Sequence, residues 1–190
     1  GAEIVLLPGT YTEPLVVPHD DITVHALEAE TVIDGSSGPL RGGWTQGANG
    51  IWARPYSGAA HGCFAGTYES HGLECVLYNV GLDNNYHDND ALDFHAPFKS
   101  MWKLSDGVLR VCTSDGRSPV EHDIRVATQR IGLTIDGRPG AVIDGLQIRH
   151  FAEWVRCGGS PGVQFRNMDC RYTGGYAYGV WVRTFGKVIP

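Results

Sequence analysis

A 22-residue repeat near the end of the chain constrains the fold more than any other sequence feature. Residues 143–150 (IDGLQIRH) align with residues 165–172 (FRNMDCRY) at a shift of 22. In both copies a Gly or Asn, which tolerates a left-handed backbone, precedes an apolar-polar alternation that includes Arg. A short β-rich repeat of this length predicts stacked turns of a parallel β solenoid, with 22 residues in each turn.

The alternation assigns the side chains of both copies to one face or the other of a strand. The positions expected in the interior are apolar: Leu146, Ile148, Met168 and Cys170. The positions expected on the outer face are polar: Gln147, Arg149, Asp169 and Arg171. Because neighbouring strands lie about 4.8 Å apart, the four outer side chains are predicted to form one contiguous patch.

The start of the chain predicts the same kind of structure. Short apolar runs alternate there with turn residues, at positions 4–7, 8–11, 15–17, 22–25 and 31–35. They are too closely spaced for helical crossovers between parallel strands. We therefore expect solenoid turns over residues 1–36 and again over residues 131–190.

Residues 37–130 interrupt this pattern and are rich in aromatic residues and polar loops. They include two strand-like runs, 74–78 and 108–112, and the turn signal Ser105-Asp106-Gly107 before the second. We expect a small antiparallel β-rich insertion. Trp44 and Trp52 are expected in its core rather than stacked on sugar.

Composition and net charge argue against some classes of partner. The 26 Gly and 10 Pro favour many short strands and tight turns. A net charge of -6 without a Lys or Arg run argues against nucleic acid as the main partner, and no apolar stretch is long enough to predict a membrane span. Five Cys without CxxC spacing define no zinc site and leave a Cys63–Cys75 disulfide open.

Three phrases of the sequence resemble the pectate-lyase-like right-handed parallel β-helix superfamily, especially its carbohydrate-active members with an inserted β subdomain. The phrases are residues 4–13 (IVLLPGTYTE), 131–137 (IGLTIDG) and 142–148 (VIDGLQI). The resemblance implies a mainly β fold, with right-handed β-helix coils interrupted by the insertion. It also implies a secreted or periplasmic protein.

The sequence departs from the superfamily pattern at both ends. The segment that leads into the first coil is absent, and only about two coils follow the insertion. Solenoid ends need covering because they expose apolar faces and unpaired backbone. We therefore expect further coils of the same polypeptide, or identical chains, to cover these ends.

The resemblance places substrate along the outer face of one parallel sheet, which makes the polar patch the candidate site. Asp169 is the candidate catalytic carboxylate, with Glu153 as a possible second, because glycoside hydrolysis uses two carboxyl groups. Arg171 is the third catalytic candidate, as the base of a lyase, although a protonated Arg is a poor base. The candidates for substrate binding are Gln147, Arg149, Tyr172 and Tyr176.

Several functions fit these residues. The leading hypothesis is a glycoside hydrolase acting on poly- or oligosaccharide. A polysaccharide lyase and a non-catalytic glycan-binding β-helix of a cell surface or phage spike are the alternatives. An exposed ladder of ion pairs with no function is the more common reason for charges on a strand face.

No cofactor or metal is predicted. Residues 86–90 (YHDND), with Asp83 and Asp93 nearby, carry donors suited to Ca²⁺, but a polar turn is favoured because the spacing matches no EF-hand loop. The Asp-Gly pairs at 34–35, 136–137 and 144–145 are interpreted as turns, with Gly supplying a positive φ. No HExxH motif supports a catalytic zinc.

Overall fold

The structure is a computed structural model that describes residues 1–68, 73–76, 78–79, 101–113, 116–173, 180–182 and 187–188. Side chains are described for residues 1–48, 50–64, 102–113 and 116–171. The chain forms two compact units, unit 1 (Gly1–Ser36 with Gln129–Pro190) and unit 2 (Ser37–Thr128). The sequence placed the corresponding boundaries at 36/37 and 130/131.

The fold is mainly β, as predicted. Unit 1 opens with five short strands: β1 (Glu3–Leu6), β2 (Gly9–Tyr11), β3 (Leu15–Val16), β4 (Thr23–Ala26) and β5 (Thr31–Asp34). Each overlaps one of the five apolar runs. Turn residues between the runs end each strand after two to four residues.

Nine strands, the first of which begins at Ser36, and two 3₁₀ helices form the part of unit 2 that the structure describes. The strands are β6 (Ser36–Pro39), β7 (Thr45–Gln46), β8 (Trp52–Pro55), β9 (Gly62–Tyr68), β10 (Leu73–Val76), β11 (Tyr78–Asn79), β12 (Met101–Ser105), β13 (Val108–Cys112) and β14 (Arg125–Ala127). The 3₁₀ helices are Ala48–Gly50 and Pro119–His122. The strands form two sheets, in the orders β10-β9-β14-β6 and β11-β12-β13-β8-β7.

Pairing in unit 2 is largely antiparallel. The pairs β7–β8, β8–β13, β12–β13, β9–β10 and β9–β14 are antiparallel, whereas β11–β12 is parallel. Asp106 and Gly107 join β12 to β13 with φ of 53° and 71°. Two successive positive φ angles are typical of a type I′ hairpin turn, which confirms the predicted turn.

The tryptophans of unit 2 belong to its apolar core or pack against it. Trp102 is fully buried with Cys63 and other apolar side chains, and Trp44 and Trp52 pack against that cluster, as expected. The Cys63 thiol is free, and burial raises its pKa. A free Cys63 thiol leaves the Cys63–Cys75 disulfide without support. The Cys75 side chain lies outside the described residues.

The remaining strands return the chain to unit 1. They are β15 (Ile131–Thr134), β16 (Val142–Asp144), β17 (Gln147–Phe151), β18 (Glu153–Cys157), β19 (Gln164–Arg166), β20 (Asp169–Thr173), β21 (Val180–Val182) and β22 (Lys187–Val188). With β1–β5 they build three sheets, β1-β4-β16-β19-β22, β2-β5-β17-β20 and β21-β18-β15-β3. Every described pair in these sheets is parallel.

Successive strands of unit 1 enter the three sheets in rotation. Strands β15, β16, β17 and β18 visit the third, first, second and third sheets in turn, and the strands after them keep that order. Paired residues differ by 22 in all three sheets: Leu133 opposite Val155, Ile143 opposite Phe165, and Ile148 opposite Cys170. The strands of the two repeat copies therefore pair in parallel at the predicted shift of 22 residues.

The interior of unit 1 is the core that the alternation predicts. Leu146 and Ile148 are fully buried, and Met168 and Cys170 pack against the same cluster. The cluster includes residues from all three sheets, such as Val24, Ile33 and Leu133. Burial of aligned apolar side chains thus holds the three sheets together.

The first three strands form one edge of each parallel sheet. Apolar side chains are exposed along them, including Leu7 at 60% and Val16 at 62%. Unpaired strand edges favour pairing with a further strand. Covering by additional coils or by an identical chain stays a prediction. None of the helices in the described residues has the length and apolar character needed to cross a membrane.

Gly35 follows β5 at a point of close approach. A Cβ at this position would lie 2.6 Å from the Phe151 ring and 2.7 Å from the His150 carbonyl oxygen. Gly137 and Gly145 have the positive φ expected of their turns, but Gly35 does not. The interpretation of Gly35 as a source of positive φ was therefore wrong, because the constraint here is space.

Replacing Gly35 with Ala should lower the free energy of unfolding by about 1–3 kcal/mol, since backbone atoms near the new methyl group must move. Urea unfolding measures the difference. Gly42→Ala is the matched control, because nothing lies within 4 Å of its Cβ position and its φ is not positive. Equal stability of the two variants would contradict the close approach at Gly35.

Candidate functional site

A shallow depression lies on the outer face of unit 1 between β17 and β20. Its volume is about 20 Å³, and it is lined by Gln147, Arg149, Asp169 and Arg171. Gln147 is paired with Asp169 and Arg149 with Arg171 across the two parallel strands. The structure thus brings together the four outer-face residues of the repeat.

Each strand contributes one hydrogen-bonded pair of side chains to the depression. On β20, Arg171 Nε donates to Asp169 Oδ1 at 2.7 Å. On β17, Arg149 Nη2 donates to Gln147 Oε1 at 3.4 Å, and Gln147 Nε2 donates to the Ala29 carbonyl oxygen. Residues two apart on a strand point to the same side, which is why both pairs form within one strand.

The ion pair in the depression is accessible to solvent. The Arg171 and Asp169 side chains are 60% and 36% exposed. An exposed ion pair contributes about 0–1 kcal/mol to stability, so a ligand that rearranges it loses little. The two Arg and the Asp can therefore exchange their present contacts for hydrogen bonds to a polar ligand.

A buried layer lies directly beneath these polar side chains. Ile148 and Cys170 point inward from the same two strands. Burial, and then the charge of Asp169, raise the pKa of the Cys170 thiol to about 12. The thiol therefore stays protonated near neutral pH and does not act as a nucleophile.

Trp154 supports the backbone of the depression from the neighbouring sheet. Its indole Nε1 donates to the Arg171 carbonyl oxygen at 2.9 Å, and its ring packs against the unit 1 core. This contact links β18 to β20. Sequence reasoning missed it, because a tryptophan inside a strand gives no signal of which backbone oxygen it will reach.

Glu153 lies in a different sheet from Asp169. It begins β18, and its carboxylate accepts hydrogen bonds from Arg130 Nε at 3.2 Å and from Arg156 Nη2 at 2.8 Å. Glu153 does not line the depression. The structure therefore does not unite Asp169 and Glu153 at this depression.

Other sequence candidates fall outside the described residues. This applies to the Tyr172 side chain, to Tyr176 and to segment 86–90 with Asp83 and Asp93, which the sequence interprets as a polar turn. Within the part of the chain that the structure describes, no group of three or more His, Cys, Asp or Glu side chains is placed to hold a metal ion.

A buried pair that the sequence did not reveal lies beside the depression. His150 Nδ1 is 3.0 Å from Asp34 Oδ1, and the His150 side chain is 1% exposed. Burial acts to raise the pKa of the Asp34 carboxyl, but the hydrogen bond and charge of His150, together with Ser36, lower it to about 2. The sequence interprets Asp34 as part of a turn. In the structure Asp34 ends β5 and β6 begins at Ser36, but the Asp34 carboxylate does accept the Ser36 backbone N–H at 2.9 Å, the local hydrogen bond expected there.

Comparison with known proteins identifies a similar fold but no family. No protein-family model matches the chain, and no curated protein matches it. A solved structure of XylC in complex with xylose matches over 88% of this chain, with 14% sequence identity and a TM-score of 0.50. The chain spans about a third, 35%, of the length of XylC. At this level of identity the likeness is one of fold.

The Asp34 pair predicts a defined acid sensitivity. Because the folded-state pKa of about 2 lies below the ordinary value of 3.8, ionised Asp34 stabilises the protein above about pH 4. This stabilisation, roughly 2 kcal/mol, is lost as the pH falls through about 2. The difference in unfolding free energy between the wild-type chain and Asp34→Asn should shrink by that amount between pH 5 and pH 2.

Urea unfolding at several pH values measures this difference. Asp20→Asn is the matched control, since Asp20 is exposed and lies 3.7 Å from Arg138 in a surface ion pair. A constant difference between wild type and Asp34→Asn from pH 5 to pH 2 would contradict the assigned role of Asp34.

Proposed function

We propose that this chain is the sugar-binding part of a carbohydrate-active, right-handed parallel β-helix protein of the pectate-lyase-like superfamily. In this proposal unit 1 forms the β-helix coils, and unit 2 is the inserted β-rich subdomain. The rotation of strands among three parallel sheets and the 22-residue register support the β-helix. A secreted or periplasmic location goes with the same proposal.

The observation that carries the sugar-binding role is the depression between β17 and β20. Arg149 and Arg171 offer hydrogen-bond donors, Asp169 offers acceptors, and Gln147 offers both. Sugar hydroxyl groups both donate and accept, so a mixed set of this kind suits them. The xylose bound in the XylC complex supports a sugar as the ligand class.

Hydrolysis of a glycosidic bond is the reaction that we propose for the whole protein. Asp169 is the one carboxylate among the four residues that line the depression. A glycoside hydrolase places its two carboxyl groups about 5–5.5 Å apart for retention, or about 6.5–9.5 Å apart for inversion. Glu153 is held by Arg130 and Arg156 and does not line the depression, so the second carboxyl group of this proposal is not among the four lining residues.

A lyase is less favoured by the geometry. Its base at this depression would be Arg171, which is paired with Asp169 at 2.7 Å and whose guanidinium holds its proton. The two reactions give different products, since hydrolysis creates new reducing ends and elimination creates an unsaturated uronide. Binding without either product would identify a glycan-binding protein instead.

Substitution at the depression should weaken sugar binding. Arg149→Ala and Asp169→Ala should each raise the Kd for xylo-oligosaccharides at least tenfold, because a hydrogen bond to a charged group contributes about 1.5–3 kcal/mol. Isothermal titration calorimetry of the full chain measures the change. Oligogalacturonides, titrated in parallel, test an acidic ligand.

Arg166→Ala provides the matched control. Arg166 Nη2 donates to Gln164 Oε1 two residues away, as Arg149 does to Gln147, but this pair lies on β19 in another sheet. The control should bind sugar like the wild-type chain. Unchanged binding by the Arg149 and Asp169 variants, or an equal loss in the control, would overturn the proposed site.

A further inference from the structure

His150 has an unusual backbone conformation next to the depression. It lies within β17, but its φ is 59°, in the left-handed region that side chains other than Gly seldom adopt. The parallel pairing of β17 with β20 is interrupted at this residue and resumes at Phe151, opposite Thr173. Such a conformation costs about 1–3 kcal/mol and persists only where surrounding contacts enforce it.

One contact that holds His150 in place is its buried bond to Asp34. A carboxylate only accepts hydrogen bonds, so His150 Nδ1 carries the proton and donates it to Asp34 Oδ1. The same oxygen accepts the Ser36 N–H. Removing one member of the pair costs a hydrogen bond between two buried side chains of different strands, which makes the pair a constraint on both strands.

The backbone of Arg149 is in direct contact with the strand that carries Asp34. Arg149 is paired with Asp34 across β17 and β5, and its carbonyl oxygen accepts the Gly35 N–H at 3.1 Å. Gly35 thus holds the Arg149 backbone through this hydrogen bond, and His150 is the next residue in the chain. The left-handed φ of His150 interrupts the strand directly after Arg149, whose side chain lines the depression.

We propose that Asp34 and His150 are positioning residues that fix the direction of the Arg149 side chain in the depression. The expected effect on sugar affinity rests on the sugar-binding role proposed above. The position of the Arg149 side chain can be measured without any sugar. Neither residue touches the ligand. Their bond sets the backbone from which Arg149 extends.

Two substitutions of His150 separate the hydrogen bond from the backbone conformation. Asn and Gly both tolerate a left-handed φ. His150→Asn keeps an amide donor for Asp34, whereas His150→Gly keeps the conformation and has no side chain to donate. His122→Gly, which removes a buried histidine from unit 2, controls for the general loss of a buried imidazole.

Two measurements are made on the full chain. The first is the NMR resonance of the Arg149 side-chain Nε–H without sugar, and the second is the Kd for xylo-oligosaccharides. His150→Gly should shift the resonance and raise the Kd about tenfold, equivalent to about 1.4 kcal/mol. His150→Asn should keep both near wild type, and His122→Gly should change neither.

The outcomes distinguish the two proposals. If His150→Gly and His150→Asn leave the Arg149 resonance equally unchanged, the positioning role is overturned whether or not sugar binds. If the wild-type chain binds no sugar, the proposed function fails, and the resonance alone decides on positioning. Should His150→Gly not fold, Asp34→Ala, which removes the acceptor, tests the same bond with the same two measurements.

Discussion

The in-register stacking of parallel strands over a shared apolar interior is the constraint on which the rest of unit 1 depends. Ile33, Ile148 and Cys170 lie at one register position across three neighbouring strands, and each points into the same core. A shift of one residue would turn every side chain of a strand to the other face. The buried layer therefore fixes which side chains reach the outer surface.

The depression follows from that constraint. With Ile148 and Cys170 inside, Gln147, Arg149, Asp169 and Arg171 have to lie outside, two from each strand. Their mutual contacts are exposed or only partly buried, whereas the strands beneath them are held by the buried apolar layer. Below them the Asp34–His150 bond and the Trp154 indole act on the backbone of the two strands. This combination of a fixed frame and exchangeable side-chain contacts is suited to binding.

The sequence predicted the parts of this structure that depend on local pattern. The alternation around Leu146 and around Met168 was sufficient to predict the buried and exposed faces, and Asp106-Gly107 was sufficient for its hairpin turn. The Asp34–His150 pair could not be predicted in this way, because its members are 116 positions apart and are separated by the whole insertion. Glu153 illustrates the same limit. Its position in the sequence did not reveal that Arg130 and Arg156 would hold its carboxylate.

The most direct test of the account is a crystal structure of the full chain soaked with xylo-oligosaccharide. We expect sugar density along the outer face of β17 and β20, with hydroxyl groups within hydrogen-bond distance of Arg149 and Asp169. We also expect the three parallel sheets to retain their 22-residue register. Sugar density confined to unit 2, or a depression left empty while sugar binds elsewhere, would contradict the account.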